Sequence, residues 1–228
     1  MMVNNRKNVI ISCDFSSKQE LYFFLNKLGD EKVFLKLGME IIYSEGLDLI
    51  QELKNEGHKI FLDLKLHDIP NTVNKAIKAL TYYEPDLLTI HLSSLISNKI
   101  FNPQNLNVIA VTVLTSIKEA DYINYYQTKL DIQNSITHQL TNTDISKLYG
   151  IVCSPQESKM IKRYYPNLKT ICPGIRQIED AQNDQERIMT PSEARDQNID
   201  YIVVGRPITQ HPNPLYKYLS ISKEFNND

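Results

Sequence analysis

Eight short runs of the chain are apolar at nearly every position: VIISCDF (9–15), VFLKLGM (33–39), KIFLDLKL (59–66), DLLTIHL (86–92), NVIAVTVL (107–114), GIVCS (150–154), LKTICPG (168–174) and YIVVGR (201–206). Each is bounded by polar residues. A run that is apolar on both faces is the pattern of a strand covered on both sides, as in a parallel sheet. Most of the intervening segments show helical spacing. SSKQELYFFLNKLG (16–29) opens on serine caps and ends at Gly29, and SEGLDLIQELKNEG (44–57) ends at Gly57. PNTVNKAIKALTYY (70–83), PSEARDQN (191–198) and NPLYKYLSISKEF (213–225) carry proline where the first helical turn tolerates it.

Strand and helix in alternation predict a parallel sheet. Eight such units in about 200 residues predict an α/β fold of one domain over residues 1–228, a (β/α)8 TIM barrel. A doubly wound open sheet is the competing arrangement. It usually has fewer strands and a glycine-rich first turn, which ISCDFSS lacks.

Composition narrows the function classes. With 228 residues, 42% hydrophobic and 23% charged, the chain has the make-up of an ordinary globular domain with a substantial core. A formal net charge of −2 gives no electrostatic case for nucleic acid or an anionic membrane as partner. No apolar run approaches the roughly 20 residues that span a bilayer. The N-terminus, MMVNNRKNVI, has no signal-like apolar region, so a cytoplasmic location is expected. Cys13, Cys153 and Cys172 lie in or at the ends of apolar runs. Three cysteines without regular spacing read as small buried hydrophobes rather than a disulfide framework. The five histidines are scattered, and no structural zinc site is expected.

In a (β/α)8 barrel the chemistry sits at the C-terminal ends of the strands. The residues there are Asp14, Lys36, Asp63, Lys65, Asp68, Thr115, Arg176, Gly205 and Arg206. Residues i and i+2 of a strand share a face about 7 Å apart. Asp63 and Lys65 therefore point together, into the barrel mouth, while Leu62, Leu64 and Leu66 point to the helices. Asp14 and Lys36 end the first two strands and can join the same cluster, each lysine held ionised by its acidic neighbours. Such a cluster is either catalytic or a buried ion-pair network that only specifies the fold. Asp68 is either functional or a helix cap before Ile69 and Pro70. The loops after strands seven and eight are a frequent phosphate site in this fold. There Gly205 lets the backbone approach an anion, and Arg206 can clamp it bidentately. The alternative for this pair is a tight turn with a solvated arginine.

The segments CDF, FLKLGME, DLKLHDIPNTV, AVTVLTS, CPGIR…NDQ and IVVGRPIT, in that order along the chain, resemble the orotidine 5′-phosphate decarboxylase family over nearly the whole chain. The D-x-K-x-x-D core alone would mark a wider suprafamily. The resemblance implies decarboxylation of orotidine 5′-phosphate to UMP, the last step of de novo pyrimidine synthesis, by a homodimer that uses no cofactor and no metal. By motif, Lys65 is the implied proton donor to C6, flanked by Asp63 and by an Asp68 contributed across the dimer interface, with Lys36 completing the network. Asp14 is implied at the ribose, Thr115 at the pyrimidine, and Gln185 between base and phosphate. Pro173, Arg176, Gly205 and Arg206 are implied at the nucleotide, the last two at its phosphate. Ile69 and Thr72 would follow Asp68 towards the neighbouring site, and the segment from Arg176 to Gln185 is the natural lid. Relatives usually carry glycine after the strand-four histidine, whereas this chain reads HLSSLISNKI (91–100), with a shortened helix expected there. Val113 stands where a polar side chain is common.

Three other readings compete. A metal-dependent sugar-phosphate decarboxylase or synthase of the same suprafamily uses a related cluster. A Schiff-base aldolase would use Lys65 covalently. A non-catalytic nucleotide-binding barrel would have no need of a proton donor.

Overall fold

The computed structural model describes residues 8–95, 106–180 and 189–227. All eight apolar runs form strands: β1 (Asn8–Cys13), β2 (Phe34–Gly38), β3 (Lys59–Leu66), β4 (Leu87–His91), β5 (Asn107–Val111), β6 (Gly150–Val152), β7 (Lys169–Pro173) and β8 (Tyr201–Val204). They are parallel and close into a barrel in chain order. Closure is made by β8 pairing with β1, through Val9↔Ile202 and Ile11↔Val204. That pairing settles the choice against an open sheet, whose first and last strands would be separate edges.

The two-residue period of each strand sorts its side chains. Ile10, Phe34, Phe61, Leu87, Ile109 and Ile171 pack with Tyr201 and Val203 as a plug inside the barrel. Their chain neighbours Ile11, Leu35, Ile60, Leu62, Leu88 and Ala110 face outwards into the larger core shared with the helices. The barrel is therefore filled, and any cavity must lie above this plug.

The helices follow their signals with some corrections. α1 (Lys18–Asn26) starts at Ser17, whose side chain accepts from the Glu20 N–H. The expected helix over 44–57 is two: α2 (Met39–Glu45) and α3 (Asp48–Asn55). Gly46 separates them, with φ at +84°, a conformation that ends the first helix and that glycine adopts without a Cβ penalty. α4 (Pro70–Leu80) runs on into a 3-10 turn over Thr81–Tyr83. Sequence patterning left α5 (Glu119–Tyr126), α6 (Ile132–Thr141) and α7 (Pro155–Tyr164) unassigned. For α7 a signal was present, since Ser154 and Glu157 form a reciprocal capping box. α8 (Pro191–Asp196), the single turn α9 (Arg206–Thr209) and α10 (Pro214–Asn226) complete the chain. After β4 comes a 3-10 turn over Leu92–Leu95, and the rest of the glycine-free segment lies outside the described residues.

All three cysteines are free and buried, as their apolar settings predict. Cys153, just past the end of β6, and Cys172 on β7 stand side by side, with sulfurs 3.7 Å apart. Burial pushes the Cys13 thiol far above its ordinary range, which leaves it inert as a nucleophile. Val113 is also buried in the outer core, away from the barrel mouth.

Gly150 tests how tightly β6 meets β7. A Cβ there would stand 2.5 Å from the Lys169 carbonyl oxygen and 2.9 Å from Ile171 Cδ1. Backbone cannot yield as a side chain does. Gly150→Ala should cost about 1–3 kcal/mol, lowering Tm by roughly 2–4 °C per kcal/mol for a chain of this size. A thermal melt indistinguishable from wild type would contradict this packing.

Candidate active site

One step up each strand from the plug, the interior changes character. Above Ile10 comes Ser12, above Phe34 comes Lys36, above Phe61 comes Asp63, and above Leu87 comes Thr89. The same alternation that buries the aliphatic layer thus sets a polar layer on top of it. The charges form a chain. Lys36 Nζ lies 3.3 Å from Asp14 Oδ1 and 3.5 Å from Asp63 Oδ2. Lys65 Nζ lies 2.9 Å from both oxygens of Asp63. Ser12 donates its hydroxyl to Asp14 Oδ2 at 2.9 Å. Asp63 is the most enclosed member, its side chain 10% exposed, against 13% for Lys36, 32% for Lys65 and 66% for Asp14. The sequence-based cluster of Asp14, Lys36, Asp63 and Lys65 is therefore assembled as expected.

Lys65 reaches its place through an irregularity. The β3–β4 register runs Leu62↔Leu88 and resumes at Leu66↔Ile90, so four steps on β3 face two on β4. Within this bulge Lys65 takes φ = +48°, the left-handed region, which is uncommon for any residue but glycine, asparagine or aspartate. Such backbone costs about 1–3 kcal/mol and persists where its surroundings over-determine it. Thr89 on β4, fully buried, accepts from the Lys65 N–H at 2.8 Å and donates to Asp63 Oδ1 at 2.9 Å. Sequence reasoning missed Thr89 and Ser12. The available signal was a hydroxyl residue two positions beyond a plug residue in otherwise aliphatic strands.

A cavity of about 370 Å³ opens above the plug. Asp14, Lys36, Asp63 and Lys65 form one part of its wall. Thr115, Pro173, Arg176, Gly205 and Arg206 complete it from the later strands, as expected from their positions at strand ends. Gly205 faces Ser12 closely, since a Cβ on it would stand 3.3 Å from Ser12 Cβ. Arg176 is buried, and its backbone N–H donates to the Met189 carbonyl at 3.1 Å. Ile175 and Met189 form a parallel bridge that brings together the two sides of the intervening segment. Gln185 lies outside the described residues. The near side of that segment is tied to α10: buried Lys217 pairs with Glu179 at 3.2 Å and Asp180 at 2.8 Å, and Gln177 donates to Glu224 at 2.8 Å.

Asp68, Ile69 and Thr72 do not line this cavity. All three are exposed. Asp68 accepts from the Ile69 N–H at 2.6 Å, but the residue at the N-cap of α4 is Ile69, and no side chain caps the helix. Asp68 therefore makes a local contact beside the start of α4 without being its N-cap. A second pocket of about 190 Å³ shares Asp14, Lys36, Asp63 and Lys65 with the first and extends along Gly38 to Ile41. Beside the bulge, His67 and His91 stack at 4.6 Å between ring centroids, and Ser93 Oγ bridges them, 2.9 Å from His67 Nε2 and 2.7 Å from His91 Nδ1.

The arrangement offers an ammonium held against a carboxylate on one side of a pocket and two guanidinium groups on the other. It suits an anionic substrate with one end fixed at the arginines and a reacting carbon near Lys65. Among the described residues, no three His, Cys, Asp or Glu side chains gather as a metal-binding group, and no helix is long and apolar enough to cross a membrane.

Comparison with known proteins agrees with this geometry. The model of the Orotidine 5′-phosphate decarboxylase / HUMPS family matches residues 7–221. An orotidine 5′-phosphate decarboxylase of Malacoplasma penetrans is 39% identical over 229 residues, covering 97% of this chain and 99% of the relative. One from Staphylococcus aureus strain Newman is 43% identical, covering 95% and 97%. Among solved structures, orotidine 5′-phosphate decarboxylase from Lactobacillus acidophilus superposes with a TM-score of 0.82 at 35% identity, covering 96% of this chain and 99% of that one.

Two buried histidines, His91 beside the barrel mouth and His58 at the opposite end of the barrel, give the fold a pH dependence. Burial, and secondarily the neighbouring His67, hold His91 below the ordinary histidine range. His58, before β3, is lowered by burial and then by Lys32. A folded pKa below the unfolded one means that the unfolded chain binds more protons as pH falls past about 6.5. Stability present above that pH is therefore lost on acidification and levels off below the folded pKa. The urea midpoint should fall between about pH 7.5 and 5.5, and His91→Gln should make the fall shallower. An unchanged slope in the variant would remove His91 from this account.

Proposed function

Since this chain belongs to the orotidine 5′-phosphate decarboxylase / HUMPS family, we propose that its charged barrel mouth is the catalytic centre of a metal-free and cofactor-free decarboxylase. The chain converts orotidine 5′-phosphate to UMP, the closing step of pyrimidine nucleotide synthesis. The observation that carries the site assignment is Lys65 Nζ held 2.9 Å from both Asp63 oxygens, across one cavity from Gly205 and Arg206.

The chemistry follows from the charges. When the C6–carboxylate bond breaks, CO2 leaves and the electron pair stays on C6. No cofactor delocalises it. The Lys65 ammonium stabilises that developing charge and then gives C6 its proton, later regaining one from solvent. Asp63 beside the departing carboxylate disfavours the bound ground state, and Lys36 pairs with Asp63 from its other side. Enzymes lower barriers by about 8–23 kcal/mol, and one positioned donor supplies about 3–4 kcal/mol of that. Binding of the remote phosphate by Gly205 and Arg206 must supply orientation as well. Asp14 takes the ribose, Thr115 the pyrimidine, and Gln185 bridges base and phosphate, with Pro173 and Arg176 also at the nucleotide.

The working unit of this reading is a homodimer with Asp68 entering the partner's site. Three observations support it. Asp68 is exposed and does not line its own cavity. Ile69 next to it is 66% exposed, an apolar side chain suited to burial between subunits. The second pocket beside Lys36 and Lys65 leaves room for a carboxylate from another chain. Thr72 follows on the same exposed turn.

The direct test follows orotidine 5′-phosphate absorbance with purified protein and EDTA. Turnover should persist, and turnover only after addition of a divalent metal would favour the sugar-phosphate branch of the family. Lys65→Ala should lower kcat by about 10²–10⁴-fold or more while UMP still binds, because Arg206 is untouched. Near-normal kcat would end the proton-donor assignment. Shared sites are tested by mixing inactive Lys65→Ala dimers with inactive Asp68→Asn dimers. After random exchange about half of the dimers are mixed, and each mixed dimer has one site free of substitutions, so about a quarter of wild-type activity should return. Mixed dimers confirmed by mass but without activity would place Asp68 in its own subunit's site or in none.

A further inference from the structure

Thr89 is a fully buried hydroxyl in the interior of a barrel whose next layer down is aliphatic. Valine has the same shape and would bury without a hydrogen-bonding requirement. The threonine hydroxyl here has two partners, and both are parts of the charged cluster: the Asp63 carboxylate at 2.9 Å and the Lys65 N–H at 2.8 Å. Their chemistry fixes its orientation. A backbone N–H can only donate, and a carboxylate can only accept, so the single hydroxyl proton points to Asp63 and a lone pair points to Lys65.

The bulge explains why this hydroxyl is required. Between Leu62 and Leu66 the β3–β4 ladder is interrupted. Thr89 supplies the acceptor for the Lys65 N–H there. Without Thr89 the Lys65 N–H, turned out of the ladder by its left-handed backbone, would lose this partner. A closed ring results: Lys65 N–H to Thr89, Thr89 to Asp63, and Asp63 back to Lys65 Nζ at 2.9 Å. Backbone and ammonium of the same lysine are thus tied to one carboxylate through one hydroxyl.

We propose that Thr89 is a positioning residue for the decarboxylation, holding the Lys65 bulge and the Asp63 carboxylate in the relative placement that the proton donor needs. This rests on the assignment of Lys65 as proton donor. Thr89 lies under the charged wall of the cavity and not beside Gly205 and Arg206, so its loss should act on the chemical step and leave phosphate recognition alone.

The experiment compares Thr89→Val and Thr89→Ser with wild type in steady-state kinetics on orotidine 5′-phosphate, with UMP affinity measured in parallel. Thr89→Val should lower kcat by about 10–100-fold, the scale of a small misplacement of a reacting group, with KM and UMP affinity little changed. Thr89→Ser, which keeps the hydroxyl, should recover most of kcat. Equal loss in both variants would overturn the proposal in favour of packing, as would a rise in KM at unchanged kcat. If Thr89→Val does not fold, Thr89→Cys against Thr89→Ser decides, because the pair differs in hydrogen bonding at similar size. The cysteine variant should be the slower, and equal kcat would overturn the proposal. A wild-type chain without turnover would overturn the decarboxylase reading and this inference together. An active wild type with an unimpaired valine variant would overturn this inference alone.

Discussion

Asp63 stands between two ammonium groups, and the barrel mouth depends on that placement. Two ammonium groups in a confined space repel each other unless an opposing charge stands between them. The carboxylate contacts Lys65 through both oxygens and Lys36 through one. Removing it would leave like charges facing each other over an apolar floor, which is more costly than never having buried them. The network is therefore a poor source of stability and a good source of geometry. Its members are fixed by each other before any substrate arrives.

That geometry is supplied by ordinary strand periodicity. Phe34 and Phe61 close the barrel from below, and the next residues on the same faces are Lys36 and Asp63. An apolar plug beneath a charged layer lowers the local dielectric response and strengthens every interaction above it. The opposite wall is built differently. Gly205 approaches Ser12 so closely that even a methyl would crowd it, which brings backbone rather than side chain to the cavity surface. Buried Lys217 and Gln177 anchor the chain near Arg176 to α10, so that wall is braced from outside the barrel.

Much of this was legible in the sequence because it depends on local repetition. The eight apolar runs and the i, i+2 spacing of Asp63 and Lys65 needed no knowledge of the partners across the sheet. What escaped depends on contacts between strands or on weak local patterns. Nothing in DLKLH shows that Lys65 adopts a left-handed backbone, since the residues that usually mark that conformation are glycine and asparagine. The role of Thr89 follows only from that bulge. α2 was hidden because its first residue, Met39, was read as the end of the β2 run, and Gly46 was read as part of one long helix rather than as the end of a short one. α7 carried a capping box that patterning by hydrophobicity alone passes over. The position of Asp68, exposed and outside the lining of its own cavity, is likewise not encoded by spacing along β3.

The three cysteines have a practical side. Every thiol in the sequence is enclosed, Cys13 between β1 and the outer helices, and Cys153 and Cys172 against each other. The folded chain presents no reactive sulfur to a dye or spin label. A single cysteine introduced at an exposed helix position such as Tyr164, 60% exposed on α7, would be the one site that such a reagent meets. The native sequence is thus already a background for attaching one probe, with no need to strip its own thiols and disturb the core they fill.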